Sequence, residues 1–389
     1  MRAKYELAET VRRFGKDLIQ KESLSPIQTK TLFDIVQCRT ASLGGHEQAC
    51  DCCGSVRYSY NSCGNRHCPK CQLAKQIKWI DKLTARTLPI KHYHIVFTVP
   101  HCLNTICLWN NKLYYKILFS AVWRTLHSFG YSHYGVESGA VAVLHSWGQN
   151  LSLHPHIHCL VPAAGYSLNG NWKNIGVNGK YLYPVLQLGS CFKDKSLKTL
   201  ERALLEEGKP NGFSSAIDAA WDKNWNVHCE PSLAGPEHVI RYLGQYTHRV
   251  AISNRNITNI TDTHVEFIAK DYRDKAKKKP KKLSGLEFLR RSCQHILPGH
   301  FVKIRYFGIY NATTKRSLQL QFIQPDIDSI EKQKITQHET TVDCLNRVLG
   351  INVALCPVCR KGTMHNIKEI PRIRSPNLNL PTLLSSLLV

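Results

Sequence analysis

Residues 154–161 read HPHIHCLV, and residues 140–147, before the preceding Gly-Gln-Asn turn, read AVAVLHSW. Both are apolar or alternating runs of strand length, so they predict a hairpin. Successive side chains of a strand face opposite ways. His154, His156 and His158 should therefore project together, while Ile157 and Cys159 turn into a core. A lone buried histidine is ordinarily structural. Three side by side are poor core material, because every ring nitrogen needs a partner. The triplet marks a metal site with two ligand sets open. Three neutral nitrogens would suit zinc and an activated water. His156 and His158 with an oxygen ligand would suit Mg2+ or Mn2+ gripping a phosphate. Gln149, in the turn, could supply that oxygen, and His154 is the competing third ligand.

The elements around this hairpin give an α+β class. HYHIVFTV (92–99), HVEFIAKDY (264–272) and HFVKIRYFGIY (300–310) read as strands. Residues 104–129 suit a long helix ending at Gly130, and further helical segments lie near 192–207 and 213–226. Another helix begins near Pro236-Glu237. At the amino end Leu7, Val11, Phe14 and Leu18 recur at helical spacing, and Ser25-Pro26 opens a second helix. Three segments result: a helical and cysteine-rich part (1–90), a mixed part (91–310) and a polar extension (311–389).

The chain has 389 residues and carries 52 Lys+Arg against 28 Asp+Glu, a formal charge of +24. At 43% hydrophobic it can bury a core, which excludes global disorder. No stretch approaches the roughly 20 apolar residues of a membrane helix, and the charged start MRAKYELAETVRRFGKDLIQ has no secretion-signal core. A cytoplasmic protein with a polyanionic partner, most simply nucleic acid, is expected.

In a reducing cytoplasm the sixteen cysteines are not disulfide material. Those from Cys38 to Cys71 lie in a polar stretch that cannot build its own core, so metal must substitute for one. Cys50-x2-Cys53 and Cys68-x2-Cys71 make two thiolate pairs for one tetrahedral zinc. Cys38, His46, Cys63 and His67 make a second quartet. Four thiolates leave no open position for water, so the module is structural. Cys356-x2-Cys359 offers two ligands, which Cys344 could supplement. Basic residues from Arg57 to Lys91, interleaved with Tyr58, Tyr60 and Trp79, suit phosphate contact and base stacking, or simply form a solvated face.

RYLGQYTHRVAIS (241–253) places Tyr242 and Tyr246 on one helix face. Two tyrosines at this spacing also suit a half-buried helix. Their setting argues for more, since Arg241, His248 and Arg249 surround them with positive charge. A phenol with pKa about 10 attacks only a polarised electrophile, such as a phosphate bound to metal. The run containing Arg273, Lys277, Lys278, Lys279, Lys281 and Lys282 is ordinarily a solvated loop, but beside a site that acts on phosphodiesters it would follow a DNA backbone.

HPHIHCLVPAAG, followed some eighty residues later by YLGQYTHRVAIS, resembles the HUH endonucleases, named for histidine–hydrophobe–histidine. More narrowly it resembles the two-tyrosine rolling-circle transposases of the insertion sequence 91 family. CRTASLGGHEQACDCC, YNSCGNRHCPKCQ and DYRDKAKKKPKKLSGLEFLRRSCQHILPGHFVKIRYFG extend the likeness over roughly residues 35–310. The resemblance implies an antiparallel-sheet, ferredoxin-like HUH core with an amino-terminal zinc-binding module. It implies His156 and His158 as ligands on a middle strand, and Tyr242 and Tyr246 as nucleophiles on a helix packed beside them. The implied cofactors are Mg2+ or Mn2+ at the histidines and one or two structural Zn2+. The implied partners are single-stranded DNA at transposon ends, target DNA, and host helicase and replication machinery in the bacterial nucleoid. No G-x-x-x-x-G-K-[ST] loop is present, so unwinding falls to the host. Two other classes fit parts of the sequence. A zinc-dependent DNA-binding regulator leaves HPHIH unused, and a zinc hydrolase using His154, His156 and His158 leaves the tyrosines unused.

Overall fold

The structure, a computed structural model, describes residues 3–88, 90–148, 150–176, 181–209, 211–231, 239–241, 244, 250–271, 277–311, 339–350 and 352–373. The chain opens with α1 (Leu7–Lys21), α2 (Pro26–Gln37), β1 (Gly45–Cys50), β2 (Val56–Tyr60) and α3 (Leu73–Thr84). Then come β3 (His92–Thr98), α4 (Asn104–Trp109), α5 (Asn111–Phe129), β4 (Val136–Glu137), β5 (Gly139–Trp147) and β6 (Leu153–Pro162). Next are β7 (Ala164–Ser167), β8 (Trp172–Asn174), α6 (Val185–Glu206), α7 (Ser214–Trp221), β9 (Val227–Pro231), β10 (Ile257–Ile260), β11 (His264–Asp271) and β12 (Lys277–Ser284). Last are α8 (Gly285–Gln294), β13 (Ile304–Gly308), α9 (Thr341–Leu349) and β14 (Met364–Ile370).

The expected helix over 104–129 is two helices. Asn110 interrupts it, and its side chain accepts the Leu113 N–H as an N-cap for α5.

An antiparallel sheet of order β13-β5-β6-β3-β9 positions the site. The predicted hairpin is its β5–β6 pair, and the histidine strand is central. One face carries Tyr93, Ile95, Phe97, Ile157, Cys159 and Leu144, all buried beneath α5 and α6. Register places the opposite residues on the other face: His94 and Val96 of β3, His156, His158 and Leu160 of β6, and Val141, Val143 and His145 of β5. Apolar helices cover one side, and the histidines fall on the other.

The hairpin is irregular where it matters. His145 pairs with His156, but Trp147 pairs with Leu153, so β6 spends an extra residue between them. Pro155 lies in this bulge, a position where proline's missing N–H costs the ladder nothing.

The three segments expected from the sequence share cores. Leu7, Val11, Phe14 and Leu18 of α1 pack with Val265 and Phe267 of the β10-β11-β12 sheet and Phe288 and Leu289 of α8. The amino-terminal helices thus complete a unit drawn from residues 250–296. The carboxy-terminal extension likewise folds back, with β14 adding to β1 in the sheet β14-β1-β2. Arg66 fastens the cysteine-rich part to the main sheet. Its guanidinium donates to the carbonyls of Pro298 and Phe301, each at 2.6 Å, just ahead of β13.

Among the described residues no helix is long and apolar enough to cross a membrane.

Candidate active site and metal centres

His145, His156 and His158 each direct a ring nitrogen into one cluster, with those atoms within 4.8 Å of one another. Their ring centroids are 4.5 Å apart for His145–His158, 4.9 Å for His156–His158 and 5.2 Å for His145–His156. Strand pairing explains the closeness, since His145 faces His156 directly and His158 follows on the same face.

The surroundings fit neutral imidazole ligands. The Nδ1 of His156 lies 2.7 Å from the His154 carbonyl oxygen. That oxygen can only accept, so Nδ1 carries the proton and Nε2 keeps its lone pair. Burial pushes His156 down to about 4 and His158 well below the ordinary histidine range. His158 Nδ1 lies 2.9 Å from Nε2 of His94, which fixes the ring from behind and leaves its own Nε2 for the cluster. Burial holds His94 near 4 as well.

This arrangement corrects the expected third ligand. His154 is not in the cluster. Beside the bulge at Pro155 its ring lies 5.1 Å from that of His156 but stacks on His101, also at 5.1 Å, and its nitrogens stay out of the cluster. Gln149 lies outside the described residues. His145 completes the triad, and the sequence reading missed it. Its signal was present in AVAVLHSW, where a histidine in an apolar strand faces HPHIH across the hairpin.

Tyr242, Tyr246, His248, Arg249 and Arg273 lie outside the described residues. Around the tyrosines, 239–241 and 244 are helical. Val239 and Ile240 are buried in one cluster with Val141 and Leu160, on the histidine side of the sheet. A Cβ on Gly244 would come within 2.3 Å of Ile80 on α3, so this segment lies tightly against the helix leaving the cysteine-rich part. Arg241 is exposed.

The lysine run forms β12, an edge strand paired with β11 among the described residues. Lys277, Lys278, Lys281 and Lys282 are exposed and Lys279 half-buried. Lysines and Pro280 on an edge also discourage pairing with other chains.

The cysteines form two quartets, grouped differently from the sequence expectation. Cys38, Cys63, Cys68 and Cys71 make one, and Cys50, Cys53, Cys356 and Cys359 the other. Sulfur–sulfur distances are 3.4 Å (Cys38–Cys71), 3.7 Å (Cys63–Cys71 and Cys50–Cys359) and 3.8 Å (Cys53–Cys356). A tetrahedron with Zn–S bonds of about 2.3 Å has edges of about 3.8 Å, whereas a disulfide would be about 2.05 Å. Cys50 receives backbone N–H groups from Cys52 and Cys53, and Cys359 receives one from Gly362, at 3.4–3.5 Å. Led by the Gly362 N–H, such donors hold Cys359 down to about 6, favouring thiolate. The turn after Cys53 needs a left-handed residue, which Gly54 supplies at φ 69°.

His46 and His67 belong to neither quartet. His46 pairs on β1 between Ser59 and Glu369, and the Nε2 of His67 accepts the Leu297 N–H at 3.2 Å. Burial pushes His67 down to about 3. Cys344 instead lies near Asp81 and Glu339, where Arg347 pairs with both carboxylates.

Two cysteine quartets and a cluster of three imidazoles, on a chain of charge +24, are what a zinc-binding protein acting on DNA would carry. Comparison with known families makes the class particular. Residues 139–317 match a family described as "Putative transposase", and residues 10–99 match the "Transposase zinc-binding domain". The chain is 37% identical to "Putative transposase y4qJ" of Sinorhizobium fredii, over 95% of this chain and 97% of that one. It is 28% identical to "Transposase for insertion sequence element IS801" of Pseudomonas savastanoi pv. phaseolicola, over 75% of this chain and 72% of that one. No solved structure matches. The chain belongs to the insertion sequence 91 family of transposases, enzymes that cut and transfer DNA, and it carries the family's zinc-binding domain.

Proposed function

We propose that this transposase cleaves and rejoins single-stranded DNA at transposon ends through a 5′-phosphotyrosine, driving rolling-circle-type transposition. The observation that carries the reading is the convergence of His145, His156 and His158 on the sheet face where Val239 and Ile240 pack, immediately before Tyr242.

The three histidines would hold a divalent cation. An all-nitrogen set suits Mn2+ better than Mg2+, which prefers oxygen ligands, and it also suits Zn2+, whose water-activating route the tyrosine test below separates from the tyrosine route. When bound, the cation draws charge from a phosphate oxygen and makes phosphorus more electrophilic. The phenol oxygen of Tyr242 or Tyr246 attacks that phosphorus and forms the new P–O bond. The bond to the 3′ oxygen breaks, and this oxygen leaves and takes up a proton. The phenol proton passes to a nearby base, for which His154 and His248 are the candidates. The phosphotyrosine conserves the energy of the broken diester, so rejoining needs no ATP. A second tyrosine permits another cleavage while the first strand stays attached. Arg241, Arg249, Arg273 and the β12 lysines would hold the backbone, and host proteins would unwind the duplex.

Each sulfur quartet would hold one structural Zn2+. The second draws its ligands from both ends of the chain, so it ties the carboxy-terminal extension to the zinc-binding domain.

The test is incubation of the full chain with single-stranded end DNA and Mn2+. A denaturant-resistant adduct mapping to Tyr242 or Tyr246 is expected, and Tyr242→Phe plus Tyr246→Phe should abolish it. Cleavage surviving in the double variant would refute the tyrosine route and favour metal-activated water.

A further inference from the structure

A second feature flanks the histidine face. Along β13, at the edge of the main sheet, runs a groove of about 690 Å3. Its walls are the end of α3, the start of α5 and the loop that Arg66 clamps. Arg86, Lys112 and Lys116 line it and are exposed, the half-buried Tyr306 supplies an aromatic edge, and Phe301 forms part of its floor, buried against Tyr115 and Phe119. Arg305 is held in the wall with its guanidinium 4.2 Å from the centre of the Phe119 ring.

The groove starts beside the imidazoles. Ile304 pairs with Val143, and the Leu144 N–H bonds to the Lys303 carbonyl at 3.0 Å. Two residues along this antiparallel count, Val302 falls opposite His145. Val302 lines the groove, so this part of the lining lies one strand over from His145.

We propose that this groove binds single-stranded DNA continuous with the strand whose phosphate lies at the histidines. The chemistry is that of a single-strand channel, with three exposed cations in one groove and the Tyr306 ring for an unpaired base to meet. A duplex would present its phosphates but keep its bases stacked on one another, leaving Tyr306 unused. The proposal rests on the single-stranded reading of the active site, but binding here needs no chemistry.

The experiment therefore uses the full chain with Tyr242→Phe and Tyr246→Phe. The probe is a 30-nucleotide oligothymidine carrying bromodeoxyuridine, with a 30-base-pair duplex alongside. Crosslinks should map to the peptide spanning 301–310. Adding Arg86→Glu and Lys116→Glu, both at exposed positions, should weaken single-strand binding at least tenfold. It should also lower the salt slope by about 1.4, at about 0.7 per lost contact. A thermal melt matching that of the parent shows that the variant is folded. If unfolded, Arg86→Gln with Lys116→Gln replaces it under the same criteria. Unchanged affinity and slope, crosslinks only elsewhere, or an equal loss of duplex binding would each overturn the groove. Failure of the adduct test with intact tyrosines would instead strike the catalytic reading alone.

Discussion

His145 and His156 face each other across the β5–β6 pair with rings perpendicular and centroids 5.2 Å apart. Register brings the two residues together, and His145 takes the place in the cluster that the sequence had offered to His154. His145→Ala should weaken Mn2+ binding, measured calorimetrically, by more than the roughly 10–100-fold typical of losing an outer partner. His94→Ala, which removes only the support behind His158, should fall within that range. Gln149→Ala should leave the affinity unchanged. Equal affinities for wild type and His145→Ala would remove this residue from the site.

The sulfur quartets make a stoichiometric forecast. Elemental analysis should find two zinc ions per chain. Cys356→Ser plus Cys359→Ser should retain one ion and melt at least about 5 °C lower, because the β14–β1 connection is lost with its metal. Two ions in that variant would return Cys50 and Cys53 to the partners expected from spacing, Cys68 and Cys71.

Gly244 stands between the two tyrosines in the sequence, where a helix would ordinarily favour alanine by about 1 kcal/mol. The close approach of Ile80 reverses that preference. Gly244→Ala should cost about 1–3 kcal/mol through overpacking in denaturant titrations. Adduct yield should fall with it, since Gly244 stands two residues from each tyrosine in the sequence. Ile80→Ala should relieve the clash and restore part of the loss. A Gly244→Ala chain as stable and as active as wild type would contradict the contact.

Acid should unfold this protein through its buried histidines. His92 and His295 are buried, and burial lowers both from 6.5 to about 4. Between those values the unfolded chain binds protons that the folded chain refuses. Stability is therefore complete above about 6.5 and declines as pH falls toward 4, by about 3 kcal/mol for each group. His295→Gln should flatten that slope by about one proton, read from denaturant midpoints at pH 4.5 and pH 7. An unchanged slope would show that His295 takes up its proton without unfolding.

Metal loading at the imidazoles should follow a similar acid limb, because His156 must be neutral to bind and is held near 4. Mn2+ affinity should be steady from pH 7 to 6 and collapse near pH 4. A loss centred on 6.5 would mean that His156 is hydrated like a surface histidine.

Much of this was legible in the chain. The hairpin was readable because alternation and a short turn are local signals. The helices of the amino end were readable from their apolar spacing and from Ser25-Pro26. The zinc-binding character was readable from CxxC pairs in a polar stretch. The misreadings share a cause: each concerned which distant segment completes a local motif. Spacing paired Cys50 and Cys53 with Cys68 and Cys71, the nearest CxxC. Folding paired them with cysteines about 300 residues away, because β14 joins the edge of β1. Period two put His154 into the ligand cluster; its ring does lie 5.1 Å from that of His156, but it stacks on His101 and stays outside the cluster.

The amino-acid order alone determined the ingredients: soft sulfur and nitrogen ligands in groups, an excess of positive charge, and a strand with imidazoles on alternate residues. Their chemistry depends on residue type and short-range backbone geometry, which neighbours in the chain dictate. Only the tertiary structure decided which ingredients share a site. Strand register chose His145, sheet addition chose Cys356 and Cys359, and docking of α3 against the main sheet made the groove. Those choices depend on hydrogen-bonded edges and packed faces meeting across hundreds of residues, where local spacing carries no information.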